Sequence, residues 1–510
     1  MKLINLVQNF SYVVEKQYDQ IAIIDGQGSL SFSDLLEYSK RLANEISNNL
    51  SSSNNLIAVY LPKSRYAIIA DIGIMYSGNA FMNLDIKSPI PRVKAVIDNT
   101  KPSIIVTDDD NLTKLQSTLA YDTKVISISG IDQWDSSGTN WLKYQQKIDT
   151  DPCCVINTSG STGIPKSVVL NHRSFIDFLS WSIDTFYFNE RTTIGSLSPA
   201  VFDIYCFELC LLLYCGSRLV LIPESLSAFP VRILEWLSEY AINFIFWVPT
   251  IMVNIANMRL LDSAKLDGLN LVWFAGEVLP TKHLNYWCRM LPNATFVNMY
   301  GPIEITLDCL YYLVDKELQD DEPIPIGRAC RNTDILILRE DGSKADIDEQ
   351  GELCVRGSSL AMGYYNDPQK TSIAFTQNPL QKHFPELIYR TGDIVYMRAD
   401  GDIMFIGRKD HQIKHQGYRI ELSEIESVVL HHNEIRNACV VYDSNNKSIQ
   451  LFYESDKEIA VRDMRQFLGK RVPKYMIPNE FIRVEQMPMN TNGKIDRQML
   501  LKFIDGASNA

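Results

Sequence analysis

The sequence has no stretch that could hold it in a membrane. No apolar run approaches the ~20 residues that a membrane-spanning helix needs. The most apolar segment, from Cys206 to Ile222, is interrupted by Glu208 and Arg218. The first residues have neither the apolar segment nor the cleavage site of a secretory signal peptide. We therefore expect no membrane partner and a cytoplasmic localisation.

The sequence also has few signs of a metal centre or a disulfide framework. Its ten cysteines are scattered, with no CxxC pair, and its seven histidines show no HExxH spacing. The cysteines that lie close together, such as Cys153 and Cys154, stand in apolar surroundings. We expect buried reduced thiols and no structural transition metal.

Positive charge is not in excess, since the net charge is −12. Residues 410–510 contain fourteen Lys/Arg and fourteen Asp/Glu, so the whole deficit belongs to residues 1–409. Binding of nucleic acid depends on neutralising phosphates with Lys and Arg, so a nucleic-acid partner is not expected.

A Walker loop is absent, because Pro165 separates Gly163 from Lys166 where that motif needs adjacent Gly-Lys-Ser/Thr. Residues 158–167, Thr-Ser-Gly-Ser-Thr-Gly-Ile-Pro-Lys-Ser, nevertheless combine hydroxyls, glycines and a lysine after an apolar run. We call them the phosphate loop and predict that they bind a polyphosphate. A flexible linker has a similar composition, so the other motifs decide. The predicted phosphate ligands are Thr158, Ser159, Gly160, Ser161, Thr162, Gly163 and Lys166.

The 510 residues, 46% hydrophobic, are too many for one core. From Ile57 onward, apolar strand-like segments alternate with helical ones, which predicts largely parallel sheets. Between residues 316 and 410 the pattern changes to alternating strands with glycine turns. We predict a multidomain α/β fold: a large N-terminal domain, 1–409, of two βα-layered sheets plus a small barrel-like β unit, and a small mobile α+β C-terminal domain, 410–510. The predicted parallel strands are 57–61, 103–107, 124–128, 153–157, 218–222, 242–248, 269–274 and 295–298, and helices are expected with caps near Ser33 and Ser423.

Several further motifs follow the phosphate loop in a fixed order. They are Asn298-Met-Tyr-Gly-Pro-Ile-Glu304, Gly351-Glu-Leu-Cys-Val-Arg-Gly357, Tyr389-Arg-Thr-Gly-Asp393, Gly407-Arg-Lys-Asp-His-Gln-Ile-Lys414, Gly417-Tyr-Arg-Ile-Glu-Leu422 and Asn492-Gly-Lys-Ile-Asp-Arg497. In this order they resemble the adenylate-forming superfamily over nearly the whole chain. Within it, the chain is most similar to the amino-acid adenylation domains of non-ribosomal peptide synthetases and to the D-alanine:carrier protein ligases.

The resemblance implies ATP and Mg²⁺ as cofactors and assigns roles to the motif residues. Tyr300 would stack on adenine, Asp393 would accept the ribose hydroxyls, and Arg408 would assist on the ribose or phosphate side. Glu304 would bind Mg²⁺, a cation that prefers oxygen ligands. The other residues expected at the nucleotide are Gly276, Glu277, Asn298, Met299, Gly301, Pro302 and Ile303, the last standing where the family usually has threonine.

The resemblance also implies two half-reactions with different catalytic residues. Lys494 would bridge the substrate carboxylate and the α-phosphate, where negative charge builds during adenylation. Asp410 would be the hinge about which the C-terminal domain rotates. Lys414 would then act in thioester formation, with Gly417 beside the tunnel for the thiol.

The substrate pocket follows from the same motif register. Asp203 would pair with the α-amino group of an amino acid, and Lys494 with its carboxylate. Large side chains leave little volume, which favours a small amino acid; a small polar L-amino acid such as serine is the first candidate and D-alanine the second. The remaining predicted lining residues are Ile204, Phe207, Phe246, Trp273, Ala275, Met299, Leu307 and Asp308.

The favoured function is therefore ATP-dependent activation of an amino acid and its transfer to the phosphopantetheine thiol of a separate carrier protein. Three alternatives stay open: a D-alanine:carrier protein ligase, an acyl- or aryl-CoA ligase, and a catalytically silent interaction protein. A basic cluster near the C-terminus is a candidate docking face for an acidic carrier. Its members are Arg462, Arg465, Lys470, Arg471 and Lys474.

Overall fold

A computed structural model describes residues 4–50, 52–116, 123–160, 165–410, 412–443, 446–489 and 495–507. The helices are Phe10–Gln17 (α1), Phe32–Asn49 (α2), Arg65–Tyr76 (α3), Ile90–Thr100 (α4), Asp109–Leu115 (α5), His172–Phe186 (α6), Asp203–Cys215 (α7), Pro230–Glu239 (α8), Pro249–Asn257 (α9), Thr281–Met290 (α10), Pro368–Ala374 (α11), Leu422–Val429 (α12), Val461–Gly469 (α13) and Arg497–Ala507 (α14). In these ranges, none of the helices is long and apolar enough to cross a membrane.

The strands form five sheets. They are Ile21–Asp25 (β1), Gly28–Ser31 (β2), Leu56–Tyr60 (β3), Ala80–Asn83 (β4), Ile104–Thr107 (β5), Lys124–Ser127 (β6), Pro152–Thr158 (β7), Lys166–Asn171 (β8), Thr193–Ser196 (β9), Arg218–Leu221 (β10), Phe244–Trp247 (β11), Leu271–Phe274 (β12), Thr295–Tyr300 (β13), Leu310–Leu313 (β14), Arg328–Ala329 (β15), Thr333–Leu338 (β16), Gly351–Gly357 (β17), Gly363–Tyr364 (β18), Phe375–Gln377 (β19), Leu387–Met397 (β20), Ile403–Arg408 (β21), Gln412–His415 (β22), Tyr418–Glu421 (β23), Asn437–Asp443 (β24), Ser448–Glu454 (β25) and Glu480–Val484 (β26).

The largest sheet has nine strands in the order β15-β14-β13-β12-β11-β9-β10-β1-β2. Its six strands from β13 to β1 run parallel, with antiparallel strands at both edges. The central strands are nearly continuous apolar runs, as expected for parallel strands buried on both faces. Successive side chains of a strand point to opposite faces, so this sheet contributes to two separate cores.

We name these faces by the helices that cover them. The α7 face carries Phe246 and Trp273 in one buried cluster with residues of α7. The α10 face carries Trp247 and Phe274, clustered with residues of α8, α9 and α10. Because Trp247 directly follows Phe246, and Phe274 follows Trp273, the two cores share strands but no side chains.

The second sheet has seven strands in the order β18-β8-β7-β4-β3-β5-β6, and its β3, β4, β5, β6 and β7 pair in parallel. A five-stranded antiparallel sheet, β16-β17-β20-β19 with β21 against β20, covers 333–408. The prediction of βα layers followed by an antiparallel unit is confirmed. The remaining strands form the β22-β23 hairpin and a three-stranded sheet, β24-β25-β26.

The chain divides into two compact units. Unit 1 comprises residues 1–86, 100–156 and 167–409, and unit 2 comprises residues 87–99, 157–166 and 410–510. The last change of unit falls between Lys409 and Asp410. The phosphate loop, apart from Ser167, and part of α4 group with the C-terminal residues, which the sequence did not predict.

Two predicted helix caps differ in position from the structure. Helix α2 is capped by the hydroxyl of Ser31, which accepts from the Asp34 N–H, rather than near Ser33. Helix α12 begins at Leu422 after Glu421, without a side-chain cap, rather than near Ser423. In both cases strand pairing of the preceding residues fixes where the helix begins. The choice between neighbouring serines is too local for the sequence to decide.

Candidate active site

The best-defined polar group of unit 1 joins the ends of three strands. The Tyr300 hydroxyl at the end of β13 bonds to one oxygen of Asp393 in β20, and Arg408 at the end of β21 pairs with the other. Strand register places Asp393 directly opposite Arg408. Burial and the negative charge of Asp393 hold the pKa of the Tyr300 hydroxyl well above its usual value, so the phenol remains a neutral donor.

The predicted magnesium ligand, Glu304, lies in a short 3-10 turn just after β13 and is fully buried. The Tyr364 hydroxyl donates to Glu304 Oε1 at 2.9 Å. Among the described residues there is no cluster of three or more His, Cys, Asp or Glu that would form an all-protein metal cage. A single carboxylate fits Mg²⁺, because this ion usually takes one or two protein carboxylates together with substrate phosphates and water.

Two polar segments lie at the carboxyl ends of β12 and β13, where parallel strands open toward one edge of the sheet. Asn298 Nδ2 donates to the Pro325 carbonyl at 2.8 Å. Gly276 adopts a φ of +94°, which the turn after β12 requires. The next residue, Glu277, accepts hydrogen bonds from the backbone N–H and hydroxyl of Thr250.

A tight turn after β13 brings Leu307 and Asp308 back against the strand. A Cβ at Gly301 would lie 2.3 Å from the Leu307 carbonyl oxygen and 2.5 Å from Asp308 Cα, so only glycine allows this approach. Thr306 and Leu307 both adopt positive φ, 56° and 66°. This strained turn holds a buried carboxylate, Asp308, at the end of β13.

The predicted pocket residues share the α7 face. Phe246, Trp273, Ala275 and Met299 belong to one buried cluster that also contains the α7 side chains. The ring of Phe207 in α7 is stacked on that of Trp273, with centroids 5.4 Å apart and planes 7° apart. The other members of the predicted pocket in this cluster are Ile204 and Leu307.

Helix α6 and the residues after it contribute aromatic side chains that the sequence reasoning missed. The rings of Phe178, Trp181, Phe186 and Phe188 all lie 4.8–6.4 Å from Trp273. The spacing of Phe178 and Trp181 by three residues was a signal for one helix face. An ordinary buried helix face gives the same spacing, so the pattern alone does not identify a pocket.

Asp203 is the first residue of α7, and its Oδ1 accepts from the Ile204 N–H at 2.9 Å. It is partly buried, on the helix whose next turn contains Phe207. The pocket prediction therefore has a carboxylate at one end of the helix that packs on the aromatic face.

Within unit 2, donors of the phosphate loop bind oxygens. The Lys166 ammonium pairs with Glu421 at 2.8 Å, and the Gly160 N–H donates to Glu424 Oε2 at 3.3 Å. The Ser159 hydroxyl donates to the Arg419 carbonyl at 2.7 Å. These donors bind carboxylate and carbonyl oxygens in this structure, and the same chemistry suits phosphate oxygens.

The other predicted residues of unit 2 lie on the β22-β23 hairpin. Asp410 precedes it and accepts from the Gln412 N–H at 3.2 Å. Lys414 lies on β22, opposite Arg419. Gln416 and Gly417 form the two-residue turn with φ of 53° and 80°, a conformation that favours glycine at Gly417.

The predicted site residues are thus divided between the units. Four lie outside the described residues: Ser161, Thr162, Gly163 and Lys494. Unit 2 contains Thr158, Ser159, Gly160, Lys166, Asp410, Lys414 and Gly417, and unit 1 contains the nucleoside, metal and pocket residues from Asp203 to Arg408.

Comparisons with known proteins agree with this division of motifs. Residues 10–365 match the family model described as AMP-binding enzyme, and residues 424–494 match the AMP-binding enzyme C-terminal domain. The chain is 30% identical over 501 residues to zwittermicin A synthase ZmaJ of Bacillus cereus, covering 96% of this chain and 93% of that protein. It is also 30% identical over 496 residues to tyrocidine synthase 1 of Brevibacillus parabrevis, covering 97% of this chain but only 44% of that longer protein.

Two solved structures share the fold. One is holo-PA1221, a non-ribosomal peptide synthetase protein with adenylation and PCP domains, at a TM-score of 0.83, 23% identity, and coverage of 98% of this chain and 84% of that one. The other is the Vibrio cholerae adenylation domain AlmE with glycyl-adenosine-5'-phosphate, at a TM-score of 0.84, 20% identity, and coverage of 99% and 98%. The chain therefore belongs to the AMP-binding enzymes of the adenylate-forming superfamily and is similar to the adenylation domains of non-ribosomal peptide synthetases.

Proposed function

We propose that this protein activates a small amino acid as its aminoacyl-adenylate and then transfers it to the phosphopantetheine thiol of a separate carrier protein. The observation that carries the amino-acid assignment is Asp203 at the start of α7, the helix whose Phe207 packs on the aromatic α7 face. A carboxylate beside an apolar pocket suits a substrate with an ammonium group and a short side chain.

In this proposal unit 1 holds the nucleoside. Asp393, fixed by Tyr300 and Arg408, keeps lone pairs with which to accept the ribose hydroxyls. The ring of Tyr300 offers a face to adenine, and the polar groups of Asn298 and Gly276 lie at the same strand ends. Glu304 would hold Mg²⁺, which neutralises phosphate charge when bound.

The first half-reaction is a displacement at the α-phosphorus. A carboxylate oxygen of the amino acid forms a bond to that phosphorus, the bond to the bridging oxygen of the β-phosphate breaks, and pyrophosphate leaves with the electron pair. Negative charge builds on the α-phosphate during this step. We assign its stabilisation to Lys494, and the binding of the leaving phosphates to the phosphate loop.

The second half-reaction transfers the acyl group. The carrier thiol loses its proton, its sulfur forms a bond to the carbonyl carbon, and AMP leaves with the former ester oxygen. We assign Lys414 and Gly417 to this step. Support for a carrier partner comes from the adenylation–PCP architecture of holo-PA1221, to which this chain is structurally similar.

Amino-acid-dependent exchange of pyrophosphate into ATP tests the first half-reaction. The panel contains the twenty amino acids, D-alanine, and simple aryl and acyl acids. We expect exchange with a small amino acid and none with the aryl or acyl acids. Exchange with an aryl or acyl acid alone would contradict the proposal and favour a CoA ligase, and exchange with no acid would favour a silent protein.

The Asp203→Asn variant tests the residue that carries the assignment. It removes the charge that would pair with the substrate ammonium while keeping the side chain's size, so we expect a loss of kcat/KM on the order of tenfold or more. Asp184→Asn, at an exposed position of unit 1, is the control. Equal activity of the Asp203 variant and the control would remove the amino-acid assignment.

A further inference from the structure

Unit 1 contains three tryptophans that are at most 1% exposed, and one of them differs from the other two. Trp247 Nε1 donates to the Gly195 carbonyl at 2.9 Å, and Trp287 Nε1 donates to the Met252 carbonyl at 3.0 Å. Both lie on the α10 face. Trp273, on the α7 face, has a buried Nε1–H that bonds to no acceptor among the described residues.

An indole N–H in an apolar core is costly unless it finds an acceptor, because it has given up its hydrogen bond to water. The surroundings of Trp273 supply little polarity. Seven aromatic rings have centroids within 6.4 Å of it, contributed by α6 and the residues after it, by α7 and by β11. Neither neighbour in its own strand, Val272 or Phe274, is polar. The donor is therefore kept although a phenylalanine would fill most of the same space.

The same rings make this wall of the pocket rigid. Phe207 is stacked on one face of Trp273, and Phe244 and Phe246 meet the indole edge-on with centroids 5.4 Å away. Buried side chains packed this closely cannot move aside without leaving cavities elsewhere. A substrate side chain of more than a few atoms has no room to displace them.

We infer that the side chain of the substrate supplies the missing acceptor, so that Trp273 acts as a specificity residue for a small hydroxy amino acid. This inference rests on the proposed function, since it needs the α7 face to hold an amino acid. A hydroxyl is favoured over a carboxylate because the buried Asp308 would repel a second negative charge. A hydroxyl can accept from the indole N–H and donate to a carboxylate at the same time.

The experiment compares serine with 2-aminobutyrate, which has a methyl group in place of the hydroxyl and nearly the same size. The kcat/KM for amino-acid-dependent pyrophosphate exchange is measured with each, for the wild type and for Trp273→Phe. We expect the wild type to prefer serine at least tenfold, and Trp273→Phe to lose about tenfold of that preference, the worth of one hydrogen bond. The activity of the variant with 2-aminobutyrate should be retained.

Trp287→Phe is the matched control, because it removes a buried indole N–H on the other face of the sheet. It should leave the serine to 2-aminobutyrate ratio unchanged. An equal ratio in the wild type and in Trp273→Phe overturns the inference and means that water or a π face satisfies the N–H. A wild-type preference for any amino acid without a side-chain oxygen overturns it without a variant.

These outcomes are distinct from a failure of the proposed function. If no amino acid supports exchange but an aryl or acyl acid does, the function itself is wrong. If a large or purely apolar amino acid supports exchange, the function stands and the role of Trp273 is wrong.

Discussion

The two compact units differ in how they present polar groups. In unit 1 the candidate site residues are mostly buried and bonded to one another, as in the Tyr300–Asp393–Arg408 group and the aromatic wall around Trp273. In unit 2 the candidates are lysines and backbone donors on a hairpin and a loop, such as Lys414 and Lys166.

This difference suggests a division of labour. Buried, mutually fixed groups discriminate by shape and by unsatisfied hydrogen bonds, so changes in unit 1 should alter which substrate reacts. Cations on loops act where charge develops, so changes in unit 2 should alter how fast it reacts. The following predictions test the comparison, from the largest expected effect to the smallest.

Replacing Lys494 by Ala should have the largest effect. If this lysine stabilises charge that builds on the α-phosphate, its loss lowers kcat for pyrophosphate exchange by about 10²–10³ with every substrate. The free energy of unfolding should be nearly unchanged. Lys502→Ala, an exposed lysine of α14, is the control and should retain full exchange.

A second lysine separates the two half-reactions within unit 2. Lys414→Ala should spare exchange and slow carrier loading by about tenfold or more, the worth of a hydrogen bond to a charged group. Equal damage to exchange and loading would mean that unit 2 does not divide the two steps between these lysines.

Replacing Trp273 by Ala should change selectivity rather than only rate. Removing the indole opens the wall of the pocket, so we expect exchange with leucine or phenylalanine that the wild type lacks. The free energy of unfolding should fall by about 3–5 kcal/mol, as for other buried aromatic-to-alanine changes. Trp287→Ala should cost similar stability without new substrates. New substrates in both variants would show that a general loosening, not the α7 face, is responsible.

The sequence predicted much of this arrangement because its motifs are local. The parallel strands appear where apolar runs such as Phe244–Trp247 alternate with helical segments, and the ordered motifs placed Tyr300, Asp393 and Arg408 at one site without any structure. Pairing partners were harder: that Asp393 lies between the phenol and the guanidinium depends on the register of β20 and β21.

Other features could not be predicted because they depend on tertiary contacts. Phe178, Trp181 and Phe186 read as an ordinary buried helix face, and only packing shows that they surround Trp273. The missing acceptor of Trp273 Nε1 has no signal in the sequence at all. The turn at Leu307 likewise follows from the close approach at Gly301.

The interior of unit 1 should also give a measurable dependence of stability on pH. Burial raises the pKa of Asp71 to about 7, from its ordinary value near 3.8, although Tyr205 and Asn83 donate hydrogen bonds to it. The folded state then holds a proton that the unfolded chain has released between these pH values. The contribution to stability is therefore present below pH 4 and is lost as the pH rises through about 7.

The Asp71→Asn variant removes this titration while keeping the side chain's size. The free energies of unfolding, measured by urea denaturation at pH 5 and pH 8, should fall less with pH in the variant, by up to about 3 kcal/mol. Glu208→Gln should act in the same direction, because burial also raises the pKa of Glu208 to about 7. Parallel pH profiles for the wild type and both variants would contradict the assignment.

The smallest effect is expected at the exposed basic cluster of unit 2. Replacing Lys470 and Lys474 by Glu should raise the KM for an acidic carrier severalfold at low salt, and the difference should vanish near 0.5 M salt because screening removes it. Lys282→Glu, an exposed lysine of unit 1, is the control. Unchanged loading at low salt would exclude this docking face.

The most direct test of the account is to identify the adenylate itself. The protein is incubated with ATP, Mg²⁺ and an equimolar mixture of the twenty amino acids, D-alanine and common aryl acids, and the acyl-AMP formed is identified by mass spectrometry. We expect one dominant product, the adenylate of a small hydroxy amino acid, that is absent with Lys494→Ala. An aryl adenylate, or the adenylate of a large amino acid, would contradict the account.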